Sequence, residues 1–100
     1  METIFEWDTI KAKSNFKKHR VSFETAVRAF ADPWALIELD RVEDGEERWQ
    51  TLGLVDGRLL LLVAHTINDD EDDTELIRII SARHASPKEK KHYEEENGSL

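Results

Sequence analysis

The sequence predicts an α+β fold with two N-terminal helices, a four-stranded antiparallel sheet and a C-terminal helix. Apolar residues recur at helical spacing between residues 8 and 30, which indicates the two helices. Short strand-like runs follow, and the Asp-Gly pairs between them are typical of hairpin turns that need positive φ. One hundred residues fit a single domain, which we place at 1–96 with a tail at 97–100.

Residues 8–32 carry the signals of two capped helices. Asp8 can cap the first, which extends to His19. Ser22 can cap the second, and the residue before Pro33 disfavours helical geometry, which ends it. The second helix follows the i, i+3, i+4, i+7 apolar pattern closely, with Phe23, Ala26, Val27 and Phe30.

Four strands are predicted, at 35–41, 48–55, 58–66 and 74–82. The third is apolar almost throughout, which is typical of a central strand covered on both faces. Its hairpin connections make the sheet antiparallel. Ser86, Pro87 and Glu89 then carry the signature of a capped helix start, and this last helix has only Ala85 and Tyr93 to bury. We expect the helices to lie against one face of the sheet.

The net charge of −8 is unevenly distributed along the chain. Residues 35–77 hold three Lys/Arg against thirteen Asp/Glu, whereas 1–34 hold six against five and 78–100 hold five against four. Much of the acid lies in two runs, at 43–47 and 69–73, which we interpret as solvated loops or as surfaces that attract or repel a partner. So acidic a chain is not a simple nucleic-acid coat, and the absence of cysteine excludes disulfides and thiolate chemistry.

The sequence carries no targeting, membrane, metal or cofactor signal. The N-terminus lacks the basic start and apolar run of a secretory signal, and the longest apolar run, Leu59–Ala64, is too short to span a bilayer. We therefore expect a cytoplasmic protein with no membrane contact. The histidines lack the spacing of a metal site and no glycine-rich phosphate loop occurs, so we expect no metal and no cofactor.

The stretch from Arg78 to Pro87 is the most informative one for chemistry. It reads as a strand that runs directly into a helix cap and carries Arg78, Arg83 and His84. Strict alternation places two arginines five residues apart on opposite faces, unless a twist or bulge brings them to one rim. Guanidinium groups beside an imidazole can hold a phosphate and move a proton near it. The alternative interpretation is a pair of surface arginines on an edge strand.

Four blocks of residues, in this order, match a known family. They are Phe5-Glu6-Trp7-Asp8 with Lys11-Ala12; Asn15, Lys18-His19, Val21-Ser22-Phe23-Glu24, Ala26, Phe30 and Asp32-Pro33; Gly45-Glu46-Glu47-Arg48 with Gly53; and Arg78-Ile79-Ile80-Ser81-Ala82-Arg83 with Ala85, Glu89 and Tyr93. With these residues the chain resembles the BrnT family, the toxins of BrnT–BrnA type II toxin–antitoxin systems. It departs from the family at Arg20, where glycine is common, and at His84, where a basic residue, often lysine, is usual.

The resemblance implies a RelE-like fold and a ribonuclease that cuts RNA and thereby inhibits translation. It also implies neutralisation by a BrnA-like antitoxin with a ribbon-helix-helix domain. DNA would be contacted only through that antitoxin, and the complex would repress its own operon. We expect the antitoxin to cover the rim that holds RNA, or a surface beside it.

RNA can be cut without a metal ion, because its 2′-hydroxyl can attack the adjacent phosphate in line. Our hypothesis is that Arg78 and Arg83 hold this phosphate, since a guanidinium binds two phosphate oxygens and stays protonated. Arg48 on the neighbouring strand is the third candidate cation, although it also reads as a surface cation. His84 is the candidate general acid or base.

Four further residues complete the candidate site. Tyr93 and Glu89 lie one helical turn apart, and each is a candidate to orient His84 or to replace it as the catalytic group. Lys18 and His19 at the end of the first helix are candidate RNA contacts. Tyr93 also reads as an anchor for the last helix, and His19 as a histidine at the edge of the core.

Two functions of different classes are compatible with these residues. The first is a metal-independent endoribonuclease toxin, which the candidate site residues Arg78, Arg83, Glu89 and Tyr93 favour. The second is a catalytically weak or inactive toxin homologue that binds the antitoxin as a corepressor of its operon. The acidic charge favours the second.

Overall fold

The computed structural model describes residues 2–69 and 72–98, which form one five-stranded sheet with helices on both faces. The order of strands in the sheet is β1-β5-β4-β3-β2. The elements along the chain are β1 (Glu2–Glu6), α1 (Thr9–His19), α2 (Phe23–Val27), a 3₁₀ turn (Arg28–Ala31), β2 (Leu36–Glu43), β3 (Glu46–Val55), β4 (Leu59–Asp69), β5 (Thr74–His84) and α3 (Pro87–Glu96).

The predicted number of four strands is wrong, because Glu2–Glu6 forms a fifth strand. This β1 pairs in parallel with the Thr74–Arg78 half of β5, so the sheet is mixed rather than antiparallel. Phe5 of β1 packs edge-on against Phe30, with ring centroids 5.0 Å apart. A five-residue strand with acids at both ends has no local pattern that marks it, and its pairing partner lies far along the chain.

The predicted second helix is shorter than expected and ends in a tighter turn. Ser22 caps α2 as predicted, with its hydroxyl accepting a hydrogen bond from the Thr25 amide. After Val27 the chain continues as the 3₁₀ turn, whose backbone lies directly on β3. A Cβ atom at Gly53 would lie 2.2 Å from the Ala29 carbonyl oxygen, so only glycine permits this approach.

The strands extend further than the sequence indicates. The acidic run at 43–47 is not a loop, because only Asp44 and Gly45 form the turn and the other three residues belong to β2 and β3. The Asp56–Gly57 hairpin is confirmed, with φ of 54° and 70°. Asp70 and Glu71, in the second acidic run, lie outside the described residues, as do Ser99 and Leu100 of the predicted tail.

The expectation that helices cover one face of the sheet is also wrong. α1, α2 and the 3₁₀ turn pack on the face that carries Leu61 and Val63 of β4, which we call the α1/α2 face. On the opposite face, the α3 face, Leu62 of β4 and Leu52 of β3 bury Tyr93 of α3. As predicted, β4 is covered on both sides, because consecutive side chains of a strand belong to opposite faces.

A single buried amide ties α1 to the sheet. The Asn15 side chain accepts a hydrogen bond from the Ala82 amide at 3.1 Å and donates to the Ala82 carbonyl at 2.8 Å. It also donates to the Val21 carbonyl at 3.0 Å, which fixes the chain after α1. β1 pairs with β5 only as far as Arg78, so Asn15 takes over this edge of β5 at Ala82.

Replacing Asn15 with alanine should lower the free energy of unfolding by about 2–3 kcal/mol, because the buried amide and carbonyl of Ala82 lose their partner. Urea unfolding followed by circular dichroism measures the loss as a lower midpoint at an unchanged m-value. Lys13→Ala, at an exposed position of the same helix, is the matched control and should leave the midpoint nearly unchanged. Equal midpoints for the two variants would contradict the role given to Asn15.

Candidate active site

A bulge in β5 brings two arginines to the same face of the sheet. Ser81 pairs with Ala64 and Ile79 pairs with His65, so Ile80 is an extra residue without a partner on β4. The extra residue shifts the alternation of side chains by one. Arg78 and Arg83 therefore both belong to the α3 face, although five residues separate them.

A second bulge does the same in β2. Leu39 pairs with Trp49 and Arg41 pairs with Arg48, which leaves Asp40 as the extra residue. Arg41 thereby lies beside Arg48 on the α3 face. Arg41 was not predicted as a site residue, because nothing in the sequence of this acidic hairpin signals the bulge that places Arg41 on the α3 face.

The four arginines Arg41, Arg48, Arg78 and Arg83 form what we call the arginine cluster. Three of them line a cavity of about 210 Å³, together with Gln50, Leu62, Ala64 and Ser81. Arg78 joins through Glu46, whose Oε1 lies 2.8 Å from Arg78 Nη2 and 3.4 Å from Arg48 Nη2. One carboxylate therefore holds two guanidinium groups together.

Arg83 is held by a two-pronged ion pair with α3. Its two terminal nitrogens donate to the two carboxylate oxygens of Glu89, both at 2.9 Å. Glu89 also accepts from the Ser86 amide, and Ser86 accepts from the Glu89 amide, which completes the predicted capping box. The hydrogen bonds from Arg83 lower the pKa of Glu89 to about 2, against the opposing effect of burial. Glu89 is therefore a poor proton acceptor and a good positioning residue for Arg83.

Every arginine of the cluster has a carboxylate partner within the part of the chain that the structure describes. Arg41, the fourth, contacts Asp40 and Glu43 at 3.1 Å each. The side chains of Arg78 and Arg83 remain 41% and 40% exposed, whereas that of Arg48 is 23% exposed. The first two can thus meet a ligand from solvent while they keep their carboxylate partners.

His84 lies next to Arg83 in the chain but lines a different groove. It is exposed at the end of β5, and its groove of about 370 Å³ is also lined by Leu60, Lys90 and Tyr93. Its link to the cluster is through the backbone, since its carbonyl oxygen accepts from Arg83 Nη1 at 3.2 Å.

Tyr93 anchors α3 to the loop that precedes β2. Its hydroxyl donates to the Asp32 carboxylate at 2.6 Å, and its side chain is buried. Burial, together with this carboxylate, raises the pKa of Tyr93 to about 12. Burial alone would raise the pKa of Asp32, but hydrogen bonds from Tyr93 and from the Leu54 and Trp34 amides outweigh it and lower that pKa.

Lys18 and His19 are not brought to the arginine cluster. They lie in the last turn of α1, which packs on the opposite face of the sheet. Lys18 is exposed and His19 is half-buried. The helix ends at Arg20 in the left-handed conformation, with φ of 60° and its guanidinium over the Phe16 ring.

Residues 2–69 and 72–98 contain no group of three or more His, Asp or Glu side chains that could hold a metal ion. No helix in the described part of the chain is both long and apolar enough to cross a membrane.

A family model described as the ribonuclease toxin BrnT of a type II toxin–antitoxin system matches residues 7–89. The chain belongs to the BrnT family. The match includes the whole arginine cluster and Glu89, whereas β1 and Tyr93 lie outside it.

The fold of this BrnT-family chain is similar to that of a solved structure, the ribonuclease toxin BrnT of Brucella abortus. The TM-score is 0.64, over 86% of this chain and 99% of that one, with 22% sequence identity. The similarity supports the α+β architecture, with its helices and five-stranded sheet. The comparison with curated proteins finds no match.

Glu89→Gln should flatten the acid dependence of stability. The folded-state pKa of Glu89, about 2, lies below its ordinary value of 4.5. Its ionised form therefore stabilises the fold above about pH 4.5, and this contribution is lost as the pH falls towards 2. Urea midpoints measured across this range should fall less steeply in Glu89→Gln than in the parent protein.

Glu95→Gln is the matched control for this measurement, because Glu95 is exposed on the same helix. It should keep the pH slope of the parent. If Glu89→Gln keeps that slope as well, the ion pair with Arg83 does not stabilise the fold.

Proposed function

We propose that this BrnT-family protein is a metal-independent endoribonuclease that cuts RNA at the arginine cluster and thereby inhibits translation in the cytoplasm. The observation that carries the proposal is the convergence of the cluster on one face, which needs a bulge in each of two strands. In this cleavage the 2′-oxygen loses its proton and bonds to phosphorus, the bond to the 5′-oxygen breaks, and the 5′-oxygen leaves and takes up a proton. The attack places extra negative charge on the phosphate, and fixed guanidinium groups stabilise that charge.

The exposure of the arginines indicates which of them bind the phosphate and which support it. Arg78 and Arg83 bind the scissile phosphate, because each has a solvent-facing side and a carboxylate that fixes its orientation. Arg48 is less exposed than Arg78 and Arg83, and its positive charge adds to the stabilisation of the bound phosphate. Glu89 positions Arg83 rather than exchanging protons, since its pKa is about 2. A guanidinium has five donors, so it can hold a phosphate and a carboxylate together.

Proton removal from the 2′-hydroxyl has two candidates. Glu46 contacts Arg48 and Arg78 directly, and its carboxylate is 35% exposed. His84 has an imidazole that can accept a proton, but it opens onto the neighbouring groove. We assign the role to Glu46, because a general base must lie within hydrogen-bond reach of the group that it deprotonates.

A toxin of a type II toxin–antitoxin system has an antitoxin partner. We propose that this partner is a BrnA-like antitoxin with a ribbon-helix-helix domain, that it neutralises the toxin, and that the complex contacts DNA only through it. A second candidate function is that of an antitoxin-binding corepressor with weak or no catalysis. The pairing of all four cluster arginines with carboxylates favours this alternative, because RNA must compete with those carboxylates.

Arg78→Ala and Arg83→Ala should each reduce RNA cleavage by about 100-fold or more, the usual effect of removing one group that stabilises transition-state charge. The measurements are growth arrest after induced expression and cleavage of a labelled RNA. Arg28→Ala is the control, because Arg28 is an exposed arginine that pairs with Asp56 away from the cluster. If both cluster variants cut RNA as fast as the parent, the site assignment is wrong. A parent protein that neither cuts RNA nor arrests growth would support the corepressor.

Glu46→Gln should slow cleavage more than His84→Gln, because the glutamine keeps hydrogen bonds to the arginines but accepts no proton. The substrate is a deoxyribonucleotide chain with a single ribonucleotide, and the assay is run in the presence of EDTA. Cleavage should persist without metal and should stop when the single 2′-hydroxyl is removed. The reverse order of the two variants would move the base to His84, and loss of activity in EDTA would contradict metal-independent cleavage.

A further inference from the structure

The groove that His84 lines contains cations that have no acidic partner. α3 contributes to one side of this groove and the chain around the start of β4 to the other, and we call it the α3 groove. Arg58, His84 and Lys90 line it, and all three are exposed. Within residues 2–69 and 72–98, no carboxylate forms an ion pair with any of these three side chains. Their charge is therefore available to a ligand, unlike that of the arginine cluster.

The composition of the α3 groove suits an anion with an apolar part. Its volume of about 370 Å³ lies within the usual range for ligand sites, roughly 300–1,000 Å³. Apolar side chains line it, among them Leu54 and Leu60. Glu94 is the one carboxylate among the described residues that line it, against the two cations Arg58 and Lys90. The groove is therefore positive even without a contribution from the imidazole.

α3 separates this groove from the arginine cluster. Glu89 of α3 holds Arg83 on the side of the cluster, and Lys90 lines the groove. Tyr93 is buried against the sheet between the two. The two sites adjoin at the end of β5, where the carbonyl oxygen of His84 accepts from Arg83 Nη1 at 3.2 Å. A ligand that occupies both sites must therefore cross the outer surface of α3.

That outer surface is basic in the first half of the helix. Lys88 and Lys91 lie three residues apart, so they are neighbours on the helix surface, and both are exposed. Neither has an ion-pair partner in the part of the chain that the structure describes. The carboxylates of α3 are Glu89, which Arg83 occupies, and three residues at 94–96 in its last turn. Free positive charge thus continues from the groove across α3 towards the cluster.

A single strand of RNA accounts for this arrangement better than an acidic peptide does. RNA carries one phosphate at every nucleotide, so a strand held at the cluster brings further phosphates to the surface beside it. Its bases also have apolar faces that contact side chains such as Leu54 and Leu60. An acidic peptide would account for the groove but not for Lys88 and Lys91, which lead from the groove to the cluster.

We propose that the α3 groove is a second RNA subsite, which holds a nucleotide of the strand that flanks the scissile phosphate. The strand runs from the cluster over Lys88 and Lys91 and enters the groove, where Arg58 and Lys90 bind its phosphate. This inference rests on the proposed ribonuclease and adds how it holds a strand on both sides of α3. Because carboxylates neutralise the cluster, the cations of α3 and its groove supply most of the salt-dependent attraction for the strand.

Binding of an uncut strand to the Arg58→Gln/Lys90→Gln protein tests this subsite. The probe is labelled 2′-O-methyl RNA of about ten nucleotides, which lacks the attacking hydroxyl and is long enough to span several contacts. We expect its Kd to rise by about tenfold, because two phosphate contacts are lost. The slope of log Kd against log salt concentration should fall by about 1.4, since each contact with a single strand contributes about 0.7. With a cleavable RNA, KM should rise and kcat should stay near that of the parent.

Lys11→Gln/Lys17→Gln is the matched control, because it removes the same charge from exposed positions of α1, on the other face of the sheet. It should change neither the Kd nor the salt slope by more than a small fraction of the effect in the groove variant. An equal loss in the two variants would reduce the effect to net charge and would overturn the subsite. Unchanged Kd and salt slope in the groove variant, or a parent protein that does not bind the strand, would also overturn it.

The remaining outcomes separate the subsite from the proposed function and from a protein ligand. Weaker RNA binding by the groove variant of a protein that cuts no RNA would keep the subsite and overturn the nuclease. RNA cleavage with the same KM and Kd in parent and variant would keep the nuclease and overturn the subsite. If the variant binds RNA normally but loses the purified antitoxin encoded beside the toxin gene, the groove belongs to that protein and the inference is wrong.

Discussion

Side chains alternate along a strand, so the face on which a residue lies depends on every insertion between it and its neighbours. In this protein two single-residue bulges determine which arginines lie on the same face. Ile80 moves Arg83 onto the face of Arg78, and Asp40 moves Arg41 onto the face of Arg48. The arginine cluster exists only because both strands have an extra residue, and pairing with β4 and β3 holds the bulged strands β5 and β2 in register.

Several acidic residues of the chain pair with the arginine cluster and hold it together. Guanidinium groups held this close repel one another, and Glu46 and Glu89 remove that repulsion while they fix the orientation of Arg78 and Arg83. The cost is a weak long-range attraction for nucleic acid, because the surroundings of the cluster are almost neutral. Such a site favours a ligand that can make bidentate contacts at short range over one that is attracted from a distance.

Local signals predicted the local features and failed where distant pairings decide the structure. The caps at Asp8, Ser22 and Ser86 and the Asp56–Gly57 hairpin depend on neighbouring residues, and the structure confirms them. β1 was not predicted because it is defined only by its pairing with β5. The packing of helices on both faces was not predicted because no sequence pattern in α3 indicates which face of the sheet it covers. The sequence suggested Arg78 and Arg83 as partners and allowed for a bulge. The sequence could not predict that Arg41 belongs to the cluster or that Glu46 pairs with two arginines, because both features depend on the register between strands.

The bond between Tyr93 and Asp32 joins groups that are 61 residues apart. A ribosome makes Asp32 long before it makes Tyr93, so α3 docks on the sheet only after residues 87–96 have been made. Until then Arg83 lacks the Glu89 that orients it, and the α3 face is bare. The arginines therefore reach their final arrangement only after α3 has been made and has docked on the sheet, which delays the ability of this protein to act.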